Sequence, residues 1–170
     1  NPRIKKSSNG SSQAAALDWK VRGPFNQGGR TKAIAIDSRD EKIILAGGTS
    51  GGMYRTTDSG TSWTAVTKPL DNPSITGVVQ DPNSLDTWYY ITGEAKESVN
   101  TNQSSQMYIG DGVFKSTDNG VTWTQLSSTN PSNDAIQGQG DKADWQICHD
   151  IAIDPNNSSI LVTNVGGIYR

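Results

Sequence analysis

An all-β chain built from repeated four-stranded antiparallel units, a β-propeller, is what three observations predict. The stretch Gly51-Gly52-Met53-Tyr54-Arg55-Thr56-Thr57-Asp58-Ser59-Gly60-Thr61-Ser62-Trp63 returns in pattern as Asp111-Gly112-Val113-Phe114-Lys115-Ser116-Thr117-Asp118-Asn119-Gly120-Val121-Thr122-Trp123. Its first half returns again from Gly166 to Arg170. A repeat at this distance marks stacked units, each too small to bury its own apolar face. Short alternating runs bounded by Gly, Pro, Asn and Asp follow one another along the chain, and none has the apolar spacing of a helix. The spacing supplies the size: 18 residues separate Trp19 from Asp37 and Trp63 from Asp81, and 44 separate Trp19 from Trp63. Four strands in 44 residues is one propeller blade.

The elements follow in order. Residues 1–16 are rich in Ser, Asn, Gly and Ala and read as a flexible lead-in to a propeller segment over 17–170. Trp19–Arg22 reads as an outer strand. A first blade is expected over about 31–66, with an innermost strand Thr31–Ile36, a second strand over 42–46 and a third at Met53–Thr56. A second blade is expected over about 75–126, from Ile75–Val79 through Thr87–Thr92 and Gly112–Ser116. A partial third blade is expected over about 148–170, with Ile151–Ile153 innermost. Extra residues enter as two polar insertions, Glu94–Gln106 and Ser127–Asp144, read as loops. The small residues Ala33, Ala35, Gly77 and Ala152 suit the crowded axis, and Trp88, Tyr89 and Tyr90 read as core between blades. Three blades cannot close a ring, so the segment reads as part of a larger propeller, with a further Ser/Thr-x-Asp-x-Gly turn expected after Arg170.

Composition narrows the function. The formal net charge is −2 and 19% of residues are charged, which lacks the basic excess that nucleic-acid or membrane-surface binding needs. No apolar run is long enough for a membrane span. With one cysteine, Cys148, no internal disulfide forms, and a lone cysteine reads as a small buried apolar residue. No cofactor or metal is expected.

The turns Thr56-x-Asp58-x-Gly60-x-Ser62-Trp63 and Ser116-x-Asp118-x-Gly120-x-Thr122-Trp123 resemble Asp-boxes, also called BNR repeats. The physical reading is structural: an Asp accepts backbone N–H groups, the Gly supplies positive φ, the hydroxyls add local bonds and the Trp packs over the turn. Asp58 and Asp118 each lack a second carboxylate at ligand spacing. The resemblance implies that the turn joins the third and fourth strands of a blade. That phase puts the Asp37, Asp81 and Asp154 turns on one rim with the boxes. Both insertions then fall on the opposite rim, where loops carry function.

The same family includes sialidases, xyloglucanase-type glycoside hydrolases, sortilin-type receptors and secreted Bacteroidetes surface proteins. The segments over 23–38, 45–63 and 151–157 are most similar to the last group. That likeness implies an extracellular or cell-surface protein. It would bind a protein or carbohydrate ligand through the inserted-loop rim, with secretion machinery and further blades as partners. A catalytic Asp of xyloglucanase-type propellers would match Thr49, and the equivalent positions of the other units are Ile109 and Asn164. None of these can serve as acid or base near neutrality, so the segment reads as non-catalytic. The alternatives are a glycosidase whose carboxylates lie in other blades and a secretion-system cargo or surface adhesin component. Candidate ligand-binding residues are Arg30, Thr49, Glu94, Trp145 and His149. Cys148 and His149, as strand neighbours, point to opposite faces and do not form a nucleophile pair.

Overall fold

The computed structural model describes residues 30–68, 71–72, 74–96, 106–131 and 143–170. The lead-in over 1–16 and the strand over 19–22 lie outside the described residues. The first sheet contains β1 (Thr31–Ile36), β2 (Ile44–Gly48), β3 (Gly52–Thr56) and β4 (Thr64–Ala65), hydrogen-bonded in that order. The second contains β5 (Ile75–Gln80), β6 (Trp88–Thr92), β9 (Val113–Ser116) and β10 (Thr124–Gln125), again in chain order. A hairpin of β7 (Glu94–Lys96) and β8 (Gln106–Tyr108) interrupts it. The third contains β11 (Cys148–Ile153), β12 (Ile160–Asn164) and β13 (Gly167–Tyr169). All pairings are antiparallel.

Three expectations need correction. The 94–106 insertion is not all loop: its ends pair as β7 and β8, because Glu94 stands opposite Tyr108 and Lys96 opposite Gln106. The 127–144 insertion carries short 3-10 turns at Ser127–Thr129 and Ala143–Gln146. The third inner strand starts at Cys148, three residues earlier than alternation suggested.

The strands β1, β5 and β11 are neighbours in space, β5 packing against both others, so the three sheets meet along their first strands. Alternation in β6 explains how the sheets stack. Trp88 and Tyr90 join a cluster with Leu45, Met53 and Ile75, while Tyr89 and Ile91 join Val113, Ile151 and Val162. One face of the second sheet therefore buries against the first sheet and the other against the third. Small residues set the spacing. A Cβ on Gly47 would lie 2.4 Å from Ile75 Cγ2, and one on Gly77 would lie 3.0 Å from Ile151 Cγ2. Ala33 also packs in the first seam, with Ala35 partly buried against it, while Ala152 on the third sheet is exposed.

The Thr56–Trp63 and Ser116–Trp123 turns link β3 to β4 and β9 to β10. In the first, Thr56 Oγ1 donates to Asp58 Oδ1 at 2.7 Å and accepts the N–H of Gly60 at 3.0 Å. Asp58 accepts the Ser62 N–H at 2.8 Å and the Ser62 hydroxyl at 2.7 Å. Ser116, Asp118, Gly120 and Thr122 repeat these bonds. Gly60 and Gly120 have φ of 82° and 77°, and the preceding Ser59 and Asn119 are also left-handed, at 58° and 57°. Backbone bonds from Ser62, then the two hydroxyls, hold the Asp58 carboxyl down at about 2.

Replacing Thr56 by Val keeps the shape but strands the buried Gly60 N–H. The expected cost is about 2–3 kcal/mol, read from urea unfolding. Ser116→Thr, which copies the first turn into the second, should cost less than about 1 kcal/mol.

On the same rim, Asp37, Asp81 and Asp154 each accept the N–H two residues on, at 2.7–2.9 Å. Adjacent sheets are laced there. Arg39 pairs with Asp86 at 2.6 Å, and Ser158 Oγ donates to Asp81 Oδ1 at 2.9 Å.

Candidate functional site

The opposite rim begins with a repeated irregularity. The register slips between Thr31 and Ala33, between Ile75 and Gly77, and between Cys148 and Asp150. One residue at the start of each inner strand is thus left without a cross-strand partner: Lys32, Thr76 and His149. Bulges of this kind re-aim a side chain at a sheet edge. Thr76 turns its hydroxyl to the Cys148 carbonyl at 2.9 Å, tying the second sheet to the third. Lys32 reaches Glu94 Oε1 at 3.0 Å, and Arg30 also pairs with Glu94. His149 is exposed.

Glu94 is the centre of this cluster. Its side chain is 7% exposed, against 55% for Arg30. Burial pushes the carboxyl up, but hydrogen bonds and charge from Lys32 and Arg30 outweigh that and hold it below its ordinary range. A buried carboxylate with two cations is retained as an ion and orients them; removing it leaves cations without their partner. Glu94 is presented by Gly93, whose φ is +89° and whose N–H donates to the Ser74 carbonyl at 3.0 Å. A Cβ at Gly93 would lie 2.0 Å from the Gln146 carbonyl oxygen, so the second sheet's loop and the 143–146 turn touch backbone to backbone. Gly110 completes the junction, donating to the same Gln146 oxygen at 2.7 Å. Trp145, next along, packs on Tyr169 with centroids 5.0 Å apart.

The five candidate residues therefore share one rim but form two groups. Arg30 and Glu94 are joined directly. Thr49 belongs with them through its N–H, which donates to the Arg30 carbonyl at 3.0 Å, but its side chain is buried. The equivalent bond from Gly93 to Ser74 makes Gly93, not Ile109, the hydrogen-bonding counterpart of Thr49; the hairpin insertion displaces the sequence count. Trp145 lies in the turn just before the third sheet and His149 on its first strand, and the contact of Gln146 with Gly93 and Gly110 connects this group to Glu94. Lys32 escaped the sequence reading. Its signal was there: the residue five places before Asp37, Asp81 and Asp154 is Lys32, Thr76 and His149 in turn.

Chemically, this rim offers cations, an exposed imidazole and a partly buried indole. Glu94 is held ionised, so it does not supply the protonated carboxyl that glycoside cleavage requires. Asp150 bonds the N–H of its own neighbour Ile151 at 2.8 Å. Cys148 is fully buried, and burial pushes its thiol up to about 12, which leaves it unreactive near neutrality. Among the described residues no group of three or more His, Cys, Asp or Glu is placed to hold a metal, and no helix is long and apolar enough to cross a membrane.

Charge state sets the acid limit of the fold. At Asp37 burial raises the carboxyl, but hydrogen bonds led by Arg39 bring it to about 2; at Asp118 burial is likewise outweighed by Thr122 and Ser116, again to about 2. Their ordinary value is 3.8. Unfolding therefore takes up protons below about pH 4, and stability present above that pH is lost as pH falls through about 2. Glu94 acts with the same sign. Urea midpoints that fall steadily between about pH 5 and pH 2.5 are expected; a flat profile would contradict the bonding described.

No protein-family model matches the chain. It is similar to a xyloglucanase from a Paenibacillus species, 33% identical over 128 residues, covering 67% of this chain and 12% of that protein. It is also similar to the xyloglucanase Xgh74A of Acetivibrio thermocellus, 29% identical over 117 residues, covering 59% of this chain and 14% of that one. The chain thus spans only 12–14% of the length of these relatives. Among solved structures, an enzyme of Niastella koreensis described as GH74 superimposes with a TM-score of 0.53 at 22% identity, over 80% of this chain and 18% of its own. An ancestral GH74 enzyme gives 0.57 at 19%, over 82% and 17%. The described residues are two four-stranded blades and the three inner strands of a third in a β-propeller.

Proposed function

We propose that this chain is part of an Asp-box propeller of an extracellular glycoside hydrolase acting on xyloglucan-type β-glucans. In this reading, the rim carrying Arg30, Lys32, Glu94, Trp145 and His149 binds the polysaccharide, and the catalytic carboxylates lie outside the described residues. The observation that carries the reading is the 33% identity to a xyloglucanase over 128 residues. The chemistry of the rim supports the division of labour. Exposed donors on Arg30 and His149 suit sugar hydroxyls and ring oxygens, and Trp145 offers an aromatic edge. Glu94 is buried, paired with both Lys32 and Arg30 and held ionised, which removes it as the protonated general acid. Thr49, where the resemblance would put an acid, is buried and not ionisable.

The test is incubation of the full-length protein with xyloglucan, following release of oligosaccharides and retention in gels containing the polysaccharide. Hydrolysis with retention is expected. A folded full-length protein that neither cleaves nor is retarded by xyloglucan would overturn the proposal.

A further inference from the structure

The second turn carries Asn119-Gly120 where the first carries Ser59-Gly60. Asn119 and Ser59 are both left-handed, with φ of 57° and 58°, a backbone that asparagine accepts more readily than most residues. Asparagine brings a chemistry that serine lacks. Base can take the amide proton of the next residue, whose nitrogen then attacks the side-chain amide carbon. A following glycine, with no side chain, hinders that approach least. The new C–N bond closes a five-membered succinimide as ammonia leaves. Water then opens the ring to aspartate or to its β-linked isomer, so one water is consumed and one ammonia released.

The folded turn keeps each reacting group occupied. The Gly120 N–H donates to Ser116 Oγ at 3.0 Å in a buried bond. Gly120 also lies against Leu45 of the first blade, where a Cβ would come within 2.8 Å. Its proton is therefore shielded from base. The half-buried Asn119 side chain is held through Oδ1, which accepts the Trp88 indole N–H at 2.9 Å. Its amide faces the Asp37 carboxylate: burial raises that carboxyl, and hydrogen bonds from Arg39, Gln80 and Asn119 outweigh the rise. The backbone is pinned as well, the N–H by the Asp86 carbonyl and the carbonyl by Arg55 Nε, each at 2.9 Å.

The surrounding charges decide what the product would do. Arg39 already serves both Asp37 and Asp86. Arg55 is engaged with the Asn119 carbonyl. Asp118 turns its carboxylate inward to Ser116 and Thr122. A carboxylate at position 119 would thus face the buried Asp37 with no cation committed to it. We propose that Asn119 is a site of spontaneous deamidation that the closed turn keeps inert, and that its product, a carboxylate facing Asp37, unfastens the first blade from the second. Opening of the turn, rather than unfolding of the whole chain, sets the rate.

The full-length protein, incubated in mildly alkaline buffer with and without denaturing urea, tests this. Peptide mass spectrometry separates Asn119 from the other Asn-Gly pair, Asn9-Gly10. Asn119 should react about a hundredfold more slowly in the native protein than in urea. Ser116→Ala, which frees the Gly120 N–H, should speed the native reaction about tenfold, while Gly167→Ala in the third blade should leave it within about twofold. Trp88→Phe, which frees Asn119 Oδ1, should accelerate it too and replaces Ser116→Ala if circular dichroism shows that variant unfolded. Asn119→Asp makes the product directly. Its urea midpoint should lie below that of the wild type at about pH 7, and the gap should narrow toward about pH 3. Repulsion raises the folded carboxyls, so the penalty is full when both are ionised and is relieved as one takes up a proton. Three results overturn the proposal: equal rates in native and denatured protein, equal acceleration by the turn variants and by Gly167→Ala, or an Asn119→Asp midpoint equal to the wild type across this range. None of these readouts depends on glycan binding or cleavage.

Discussion

Replacing Trp88 by alanine is expected to lower the unfolding free energy by about 3–5 kcal/mol. The side chain is fully buried between the first and second blades. Its indole N–H donates to Asn119 Oδ1 at 2.9 Å. Asn119 is the left-handed non-glycine residue of the second turn, and its backbone is used twice. Its N–H donates to the Asp86 carbonyl at 2.9 Å, and its carbonyl accepts Arg55 Nε of the first blade at 2.9 Å. One indole thus fills the seam and anchors a turn that clasps the neighbouring blade. Trp88→Phe separates the two roles: most of the area remains, Asn119 loses its donor, and about 1–2 kcal/mol should be lost. Urea unfolding followed by circular dichroism at 215 nm reads both. A loss below about 1 kcal/mol for Trp88→Ala would mean that this seam does not hold the blades together.

Gly93→Ala is expected to be as damaging for a different reason. Its positive φ disfavours any side chain, and the added carbon would sit 2.0 Å from the Gln146 oxygen and 2.9 Å from the Gly110 nitrogen. Neither neighbour is a flexible side-chain end, so backbone must move. Strain and overpacking together should cost about 3–5 kcal/mol. The same substitution at Gly167 isolates the first contribution: φ is +141° but nothing lies within 4 Å, and about 1–2 kcal/mol is expected. Because Gly93 presents Glu94 and braces the 143–146 turn, Gly93→Ala should also loosen the rim proposed to bind the polysaccharide, which would be seen as weaker retention in xyloglucan gels. Equal costs at Gly93 and Gly167 would contradict the close junction.

The propeller was legible because its cause is periodic. Returning turns, Asp-terminated inner strands and a fixed spacing are properties of sequence order, and the bonds of Thr56, Asp58, Ser116 and Asp118 follow from local chemistry. The rim was less legible because its key contacts span the chain. Glu94 meets Arg30 and Lys32 from more than sixty positions away, and nothing near Glu94 announces two cations. Thr49 was misaligned with Ile109 because a hairpin insertion changes the count without changing the backbone bond that defines the position. The difference between the two turn indoles was invisible for a third reason. Trp63 and Trp123 are identical within their motifs, and only packing reveals that one indole is satisfied and the other is not.

The most direct measurement is steady-state kinetics of the full-length protein on xyloglucan, wild type against Glu94→Gln and His149→Ala. If this segment binds substrate and does not catalyse, KM should rise about fivefold or more while kcat stays within about twofold. A kcat collapse of a hundredfold or more with KM unchanged, most of all in Glu94→Gln, would make the rim carboxylate part of the chemistry and contradict the account.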